Sequence, residues 1–382
     1  MVSNMINSKS FCFRAIRFLY RRSKRIIHLL TFKIKQIAIP LIDPIYSIYL
    51  KKKKSNILYA IYDLSVSPAT YDILPFLYSA EICRIKKRCN FIHLIILTGD
   101  EDGFRKGSLN AYNANAKSPD SVNLTDLQGR LMNIVIPCYQ ILPTVKSVSY
   151  FGMRDESFRF LNSTNLSKYP EKYHIFAPVM GYGFQDIFRM DDLLEYNVVF
   201  KAPGYALKYV DSWLKERSEG KKIVTITLRE SVYEERRNSL VNEWIKFADE
   251  IIKIGFFPVF IRDTEKNMKY NEKPLSEYVT IPEASIHVPI RMALYDRAYL
   301  NMAVSGGPPV YSVCNRNNPY LLFKLVAGYG STNENHFKQM GVEPGTQPQI
   351  CGPFQKWVWK EDTFEVILDE FLKMVEKIEA QR

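Results

Sequence analysis

Arginines and glycines follow apolar segments in the second half of the chain, where their types are suited to binding phosphate. The set consists of Arg229 after IVTITL (223–228), Arg262 and Asp263 after FFPVFI (256–261), and Ser305-Gly306-Gly307 after LNMAV (300–304). The guanidinium fork matches phosphate oxygens, and glycine lets the backbone approach an anion closely. Pro308 and Pro309 fit the first turn of a following helix, whose free N–H groups attract anions. These residues predict an anion site, although a tight turn and solvated strand ends would leave the same pattern.

Strands and helices must alternate to place these residues at one sheet edge. Apolar residues recur at helical spacing from Leu240 to Ile252, between the first two strands, and Gly255 suits the end of that helix. Asn238 or Ser239 is its predicted N-cap. Further segments are a weak strand EYVTIP (277–282) leading to Glu283, a helix IRMALYDRA (290–298), and a strand PYLLF (319–323) leading to Lys324. The alternation predicts a parallel doubly wound sheet, whose ligands bind beyond the carboxyl ends of the strands.

Positive charge is concentrated in residues 1–54, which hold thirteen Lys or Arg and one acid, Asp43. This segment alone accounts for the net charge of +12, so the remainder of the chain is neutral overall. We therefore expect no nucleic-acid partner for the globular part. Apolar and basic residues of the segment fall on opposite helical arcs, which predicts an amphipathic helix on an anionic membrane surface. Packing on the protein itself and RNA binding are the alternatives. The expected location is cytoplasmic, attached peripherally to the inner face of the membrane.

The first half of the chain also alternates strands and helices. ILYAIYD (57–63) and FIHLIIL (91–97) are predicted strands, and Ser67 or Thr70 is a predicted cap of the helix between them. No GxGxxG follows the first strand, so a dinucleotide fingerprint is absent. Acidic residues at strand ends or helix starts are candidate general bases: Asp63, and preferably Asp72 or Asp100. The six cysteines and five histidines have no metal-ligand spacing, so we expect reduced thiols and no metal site.

The domain prediction combines these patterns in four segments. They are the basic amphipathic segment 1–54, an N-terminal Rossmann-like domain 55–205, a C-terminal Rossmann-like domain 206–360, and a closing helix 361–382.

ITLRES (226–231), AVSGGPPVYS (303–312) and PYLLFK (319–324) resemble segments of GT-B class glycosyltransferases, with a fucosyltransferase-like C-terminal half and no close match to one family. The resemblance implies two Rossmann-like domains facing a cleft. It implies metal-independent transfer of a sugar from a nucleotide-diphosphate donor to a lipid-linked or polysaccharide acceptor, with no cofactor because the nucleotide sugar is a substrate. The implied donor phosphate residues are Arg229, Arg262, Ser305, Gly306, Gly307 and Lys324. Glu283 and Asp263 are implied to contact the donor nucleoside or sugar.

Three alternatives remain at the level of sequence. Asp100-Glu101-Asp102 matches the DxD motif with which metal-dependent glycosyltransferases of the other major fold hold a divalent ion. A non-catalytic membrane-surface adaptor would bind nucleotide or glycan without turnover. A nucleotide-sugar epimerase would need neither a glycan acceptor nor residues 1–54.

Overall fold

The computed structural model describes residues 56–100, 102–106, 124–162, 166–181, 183–231, 234–264, 266, 274–328 and 332–381. Residues from Asn56 to the C-terminus form one compact unit. The predictions for residues 1–54 lie outside the described residues. The strands are β1 Ile57–Asp63, β2 Phe91–Leu97, β3 Val145–Phe151, β4 Ser167–Tyr169, β5 Lys222–Thr227, β6 Phe256–Ile261, β7 Leu300–Val304, β8 Tyr320–Phe323 and β9 Gln355–Trp357. The α-helices are α1 Ile73–Lys86, α2 Leu124–Arg130, α3 Arg154–Asn162, α4 Phe184–Phe188, α5 Gly204–Lys215, α6 Val241–Lys253, α7 Pro282–Ile286, α8 Val288–Arg297, α9 Val310–Val313, α10 Glu334–Met340 and α11 Phe364–Glu379.

Four parallel strands form the first sheet, in the order β3-β2-β1-β4. Its central strands are near-continuous apolar runs, as expected where both faces of a parallel sheet are covered. Leu58, Ala60, Leu94 and Ile96 are fully buried. Between α2 and β3 the chain forms a π-helical turn, Leu131–Val135, and a 3-10 helix, Ile136–Ile141. The strands predicted at 57–63 and 91–97 are confirmed.

Five parallel strands form the second sheet, in the order β6-β5-β7-β8-β9. Thr227 of β5 pairs with Ile261 of β6 and with Ala303 of β7, and Val304 pairs with Phe323 of β8. The carboxyl ends of β6, β5, β7 and β8 therefore stop at the same level. The mixed α/β architecture with two parallel sheets is the one predicted from the alternation of strands and helices.

Helix α6 forms because its apolar residues lie on one face, and that face packs against the second sheet and α11. Trp244 and Phe247 are fully buried, and the Phe247 ring lies 5.2 Å from that of Phe371 in α11. The predicted caps are wrong, however. The N-cap position of α6 is Leu240, because Asn238 and Ser239 bond to the Arg229 segment instead.

The weak strand predicted at 277–282 is also different in the structure. Only Thr280 makes a bridge, to Phe260 at the outer edge of β6, because Pro282 begins the short helix α7. Helix α1 similarly begins at Ile73, with Asp72 at the N-cap position and no side-chain capping bond, so neither Ser67 nor Thr70 caps it.

The two sheets share a continuous apolar core. One cluster of buried residues contains Leu58 and Leu94 of the first sheet together with Ala303 and Leu322 of the second. The Tyr78 ring of α1 stacks on Phe200 at 6.4 Å, and Phe200 packs edge-on against Tyr311. Because this contact is apolar, the two halves are joined firmly along one side of the junction.

No helix in the described part of the chain is long and apolar enough to cross a membrane. Across the same residues, no three His, Cys, Asp or Glu side chains are grouped so that they could hold a metal ion.

Candidate functional site

The candidate site begins where the chain leaves the second sheet. Arg229 follows β5, Arg262 and Asp263 follow β6, and Ser305 follows β7. Since these three strands are neighbours and end in register, the residues share one edge. A Cβ built on Gly306 would lie 4.0 Å from Cδ of Arg229. The Arg229 side chain therefore lies beside residues 305–307, which we call the glycine turn.

Arg229 is held by the segment that precedes α6. Its backbone N–H donates to Ser239 Oγ at 2.9 Å, and its Nη1 donates to Asn238 Oδ1 and to the carbonyl of Glu234. Asn238 also bonds both backbone groups of Ser231, at 3.0 and 2.8 Å. The side chain predicted to cap a helix therefore fixes the loop that carries Arg229.

Arg262 lies at this edge in a buried ion pair. Its Nε and Nη2 donate to the two carboxylate oxygens of Glu230 at 2.9 and 2.6 Å, and both side chains are about nine-tenths buried. Asp263 accepts from the backbone N–H of Glu230 at 2.7 Å. Burial raises the pKa of Asp263, and the nearby charges of Arg291 and Arg229 partly oppose that rise. The Glu230–Arg262 pair thus braces the end of β5 against that of β6.

Lys324 follows β8 and is also engaged with acidic partners. Its buried ammonium donates to the carbonyl of Asn238 at 3.1 Å and lies 3.0 Å from Glu361 and 3.6 Å from Asp362. Asp362 in turn accepts from Trp244 Nε1. Lys324 therefore ties the Arg229 loop to the start of the C-terminal helix, and its charge is largely compensated there.

A second arginine, Arg237, reaches the glycine turn. Its Nη2 lies 3.5 Å from the carbonyl of Ser305, and its Nη1 pairs with Glu234 at 2.9 Å. Its buried Nε has no hydrogen-bond partner. An unsatisfied N–H beside the turn increases the capacity of the site for an anion, because a ligand oxygen would satisfy it.

The glycine turn contacts the first half of the molecule. A Cβ built on Gly307 would lie 2.7 Å from Cδ2 of Tyr71, so the Tyr71 ring is in close contact with the turn. Tyr71 immediately precedes Asp72, the exposed residue at the N-cap position of α1. The candidate general base on the first half therefore lies in the segment that packs against the candidate phosphate turn.

The other acids of the first half have different surroundings. Asp63 is buried at the end of β1 and accepts from both Nη atoms of Arg154, at 2.9 and 3.0 Å, and from Tyr173 at 2.7 Å. Burial alone would raise the pKa of Asp63, but these hydrogen bonds outweigh it and lower the pKa. Asp100 is 70% exposed and lies 3.7 Å from Nε of the same Arg154. Both are therefore linked to a structural arginine, whereas the Asp72 carboxylate accepts only from the hydroxyl of Thr70.

Glu283 lies in the first turn of α7, beyond β6. One of its oxygens, Oε2, is buried and accepts no hydrogen bond in the structure, and the carboxylate also interacts with the hydroxyl of Tyr209. It follows Thr280 by three residues, and Thr280 bridges β6 on the side that faces away from β5 and β7. The set that the structure brings together most closely is therefore Arg229 with Ser305–Gly307.

Three residues at this edge are not among those predicted to bind the donor. Arg237 belongs to the Arg236-Arg237 pair that, with ITLRES, carries the resemblance to fucosyltransferase-like proteins, but the sequence does not assign it to the phosphates. Asn238 is predicted to cap a helix, which is a common role of its residue type. Tyr71 carries no signal, because its partner Gly307 is 236 positions away in the chain.

No protein-family model matches the sequence, and no curated protein matches it. Among solved structures, a glycosyl transferase family 9 protein from Veillonella parvula DSM 2008 superposes with a TM-score of 0.51 at 11% identity, over 85% of this chain and 97% of that one. The fold is that of a GT-B glycosyltransferase. ADP-heptose lps heptosyltransferase II of E. coli follows with a TM-score of 0.46 at 9% identity, over 84% of this chain and 99% of that one. At these identities the likeness concerns the fold alone.

Proposed function

We propose that this protein is a glycosyltransferase that moves a sugar from a nucleotide-diphosphate donor to a lipid-linked or cell-surface polysaccharide acceptor. One observation carries the proposal. Arg229 and the turn 305–307 meet at the carboxyl edge of the second sheet, and the Asp72 segment of the first sheet packs against that same turn. A GT-B fold supplies two such facing edges, one for the donor and one for the acceptor.

The donor diphosphate would bind across the turn 305–307. Backbone N–H groups of the turn and the guanidinium groups of Arg229 and Arg237 would stabilise the charge that develops on the leaving nucleoside diphosphate. Arg262 and Lys324, also expected at the phosphates, would act mainly by bracing the loops, because each is already paired with carboxylates. We propose that these groups perform this role without a metal ion.

Two carboxylates would serve the nucleoside or the sugar. Glu283 has a buried oxygen without a hydrogen-bond donor, and a ribose or sugar hydroxyl would supply one. Asp263, one residue beyond Arg262 at the end of β6, would contact the same ligand.

Asp72 is our preferred general base for the acceptor hydroxyl. It is exposed, it belongs to the segment that packs on the turn, and no described arginine or lysine pairs with it. Asp100, the other candidate, is the weaker choice, because it follows β2 beside Arg154 and does not belong to the segment that packs on the turn 305–307. Asp72→Asn should therefore lower kcat by at least 10²-fold with little change in donor affinity, whereas Asp100→Asn should lower it much less.

Residues 1–54 would attach the protein to an anionic membrane surface, on the cytoplasmic side where lipid-linked acceptors would be presented. The support for this is their sequence: residues 1–54 hold thirteen Lys or Arg, and the basic residues between Arg14 and Lys35 fall largely on the helical arc opposite the apolar one. The full-length protein should sediment with vesicles that contain anionic lipid and remain in the supernatant with purely zwitterionic vesicles. Equal recovery with both kinds of vesicle would remove this part of the proposal.

The decisive experiment is binding and turnover on a panel of UDP-, GDP-, ADP- and CMP-linked sugars. We expect one of the diphosphate donors to raise the melting temperature and to bind in isothermal titration calorimetry, while the monophosphate CMP donor binds less well. Arg229→Ala should weaken that binding by about 10- to 100-fold, the loss of one charge-assisted hydrogen bond.

Arg217→Ala is the matched control, because this arginine is exposed and pairs only with groups of its own helix end. Binding without any transfer or donor hydrolysis would favour the non-catalytic adaptor. A flat response across the whole panel would refute the donor site itself.

A further inference from the structure

Gly307 and Tyr71 are in close contact where the turn 305–307 meets the first half of the molecule. The 2.7 Å separation between a Cβ built on Gly307 and Cδ2 of Tyr71 is shorter than real Cβ contacts, so no larger residue fits at 307 unless the ring moves. Gly306, its neighbour, differs. A Cβ there would meet nothing nearer than 3.7 Å. Neither glycine is held in the left-handed region that only glycine adopts readily, so the requirement at 307 is one of space.

The Tyr71 ring cannot easily move out of the way. It belongs to the apolar cluster shared by both halves, together with Cys138 and Tyr295, and it is 9% exposed. Burial raises the pKa of its phenol to about 12, with the charge of Arg291 opposing this. Its side chain makes no hydrogen bond in the structure, so packing alone fixes the ring.

The backbone next to this ring carries Asp72. The carbonyl of Tyr71 accepts from the N–H of Leu74 at 2.9 Å, and the carbonyl of Asp72 accepts from Phe76 at 3.3 Å. The first turn of α1 is thereby fixed relative to the ring. A shift of the Tyr71 backbone would also move Asp72, because the two residues are joined by one peptide bond.

We propose that Tyr71 is a positioning residue whose ring, seated on Gly307, sets the distance between the Asp72 carboxylate and the donor turn. Gly307 is then required for its small size, and Gly306 for the close approach of the donor phosphates. The inference rests on the proposed glycosyl transfer. Substitution of Gly307 should therefore affect turnover, and substitution of Gly306 should affect donor binding.

The test compares Gly307→Ala with Gly306→Ala in the full-length protein. The donor is the nucleotide sugar that binds best in the panel, and turnover is the release of nucleoside diphosphate to water, which Asp72 would activate in place of the acceptor. Gly307→Ala should lower kcat by about 10²-fold, the usual cost of a misplacement of about 1 Å, and leave the Kd for the nucleoside diphosphate within about twofold. Gly306→Ala should instead weaken that Kd by about tenfold or more, since its Cβ would lie beside the Arg229 side chain, where the donor phosphates would bind.

Substitutions at Tyr71 complete the design. Tyr71→Phe keeps the ring and should behave like the native protein, whereas Tyr71→Ala should lower kcat about as much as Gly307→Ala. The double variant Gly307→Ala/Tyr71→Ala should lose no more than Tyr71→Ala alone, because the steric conflict has been removed. Gly204→Ala is the matched glycine control, since a Cβ at that position meets nothing within 4 Å.

The outcomes distinguish a failure of the positioning role of Tyr71 from a failure of the donor site. The positioning role of Tyr71 is wrong, and the donor site stands, if Gly307→Ala weakens nucleotide binding as much as it slows turnover. The same conclusion holds if the decreases in kcat caused by Gly307→Ala and Tyr71→Ala multiply in the double variant. If Gly306→Ala and Arg229→Ala leave nucleotide binding intact, or if the native protein neither transfers nor hydrolyses any donor sugar, the proposed function fails and the inference fails with it. Should Gly307→Ala not fold, the pair Tyr71→Phe and Tyr71→Ala decides the question.

Discussion

Asn238→Ala tests whether the Arg229 guanidinium must be held in place to bind the donor. The Asn238 side chain accepts from Arg229 Nη1 and from the N–H of Ser231, and donates to the carbonyl of Ser231. Three hydrogen bonds are therefore lost, one of them to a charged group. The bond from Lys324 to the backbone carbonyl of residue 238 is retained, because the substitution does not alter that group.

The magnitude follows from these three bonds. A neutral hydrogen bond contributes about 0.5–1.5 kcal/mol net and one to a charged group about 1.5–3 kcal/mol. Asn238 is only half-buried, so water replaces part of what is lost, and we expect the free energy of unfolding to fall by about 2 kcal/mol. Donor affinity should fall by about tenfold, because an unanchored arginine must pay conformational entropy to reach the phosphate.

Urea unfolding followed by circular dichroism measures the first quantity, and calorimetric titration with the nucleoside diphosphate measures the second. The double variant Asn238→Ala/Arg229→Ala should bind no more weakly than Arg229→Ala alone, since without the guanidinium there is nothing left to orient. The reasoning is refuted if affinity is unchanged while stability falls, or if the two affinity losses add.

Three further predictions concern the scaffold. Asp63→Asn should destabilise the protein by about 3–5 kcal/mol, because it leaves the partly buried Arg154 without its carboxylate. Since the folded-state pKa of Asp63 is lowered from 3.8, its contribution is complete above that value and is lost as pH falls through the folded pKa, so native and variant stabilities should converge in acid. Glu230→Gln should cost about 3 kcal/mol of stability by removing the buried partner of Arg262, measured by urea unfolding. All four tryptophans follow residue 206, so their fluorescence reports on the second half, whereas far-UV circular dichroism reports on the whole chain. The two signals should give the same urea midpoint, and separate midpoints would contradict a shared core.

The sequence predicts four of the five strands of the second sheet, because each of the four is a short apolar run followed by a charged residue or by the turn 305–307. The three-residue edge strand β9 is not predicted. FFPVFI and LNMAV correspond to β6 and β7 without a shift. The common edge follows from parallel strands alone. What does not follow is which strands are neighbours, and that decides which charges meet. Glu230 and Arg262 can pair only because β5 lies beside β6. From the sequence alone both side chains are expected to be available to a ligand, whereas in the fold they bind each other.

The caps predicted for α6 are wrong for one physical reason. Asn and Ser before an amphipathic run are typical N-caps, and propensity alone assigns them to the helix. In the fold, the chain between β5 and α6 turns back on itself, and the same side chains bond the loop that carries Arg229. The charged guanidinium of Arg229 offers Asn238 a stronger hydrogen bond than a helix N–H does, so the Asn238 side chain binds Arg229 and does not cap α6.

The shared core also bears on how the site could work. In a protein whose domains meet through a small polar contact, closure can bring donor and acceptor groups together. Here the rings of Tyr78, Phe200 and Tyr311 and the seat of Tyr71 on Gly307 join the halves through packed apolar surface. Opening that junction would expose this surface to water at about 25 cal/mol per Å², so large hinge motion is unfavourable. The distance between acceptor base and donor turn must then already be set in the resting fold, which is why a single methyl group at position 307 should be felt in turnover.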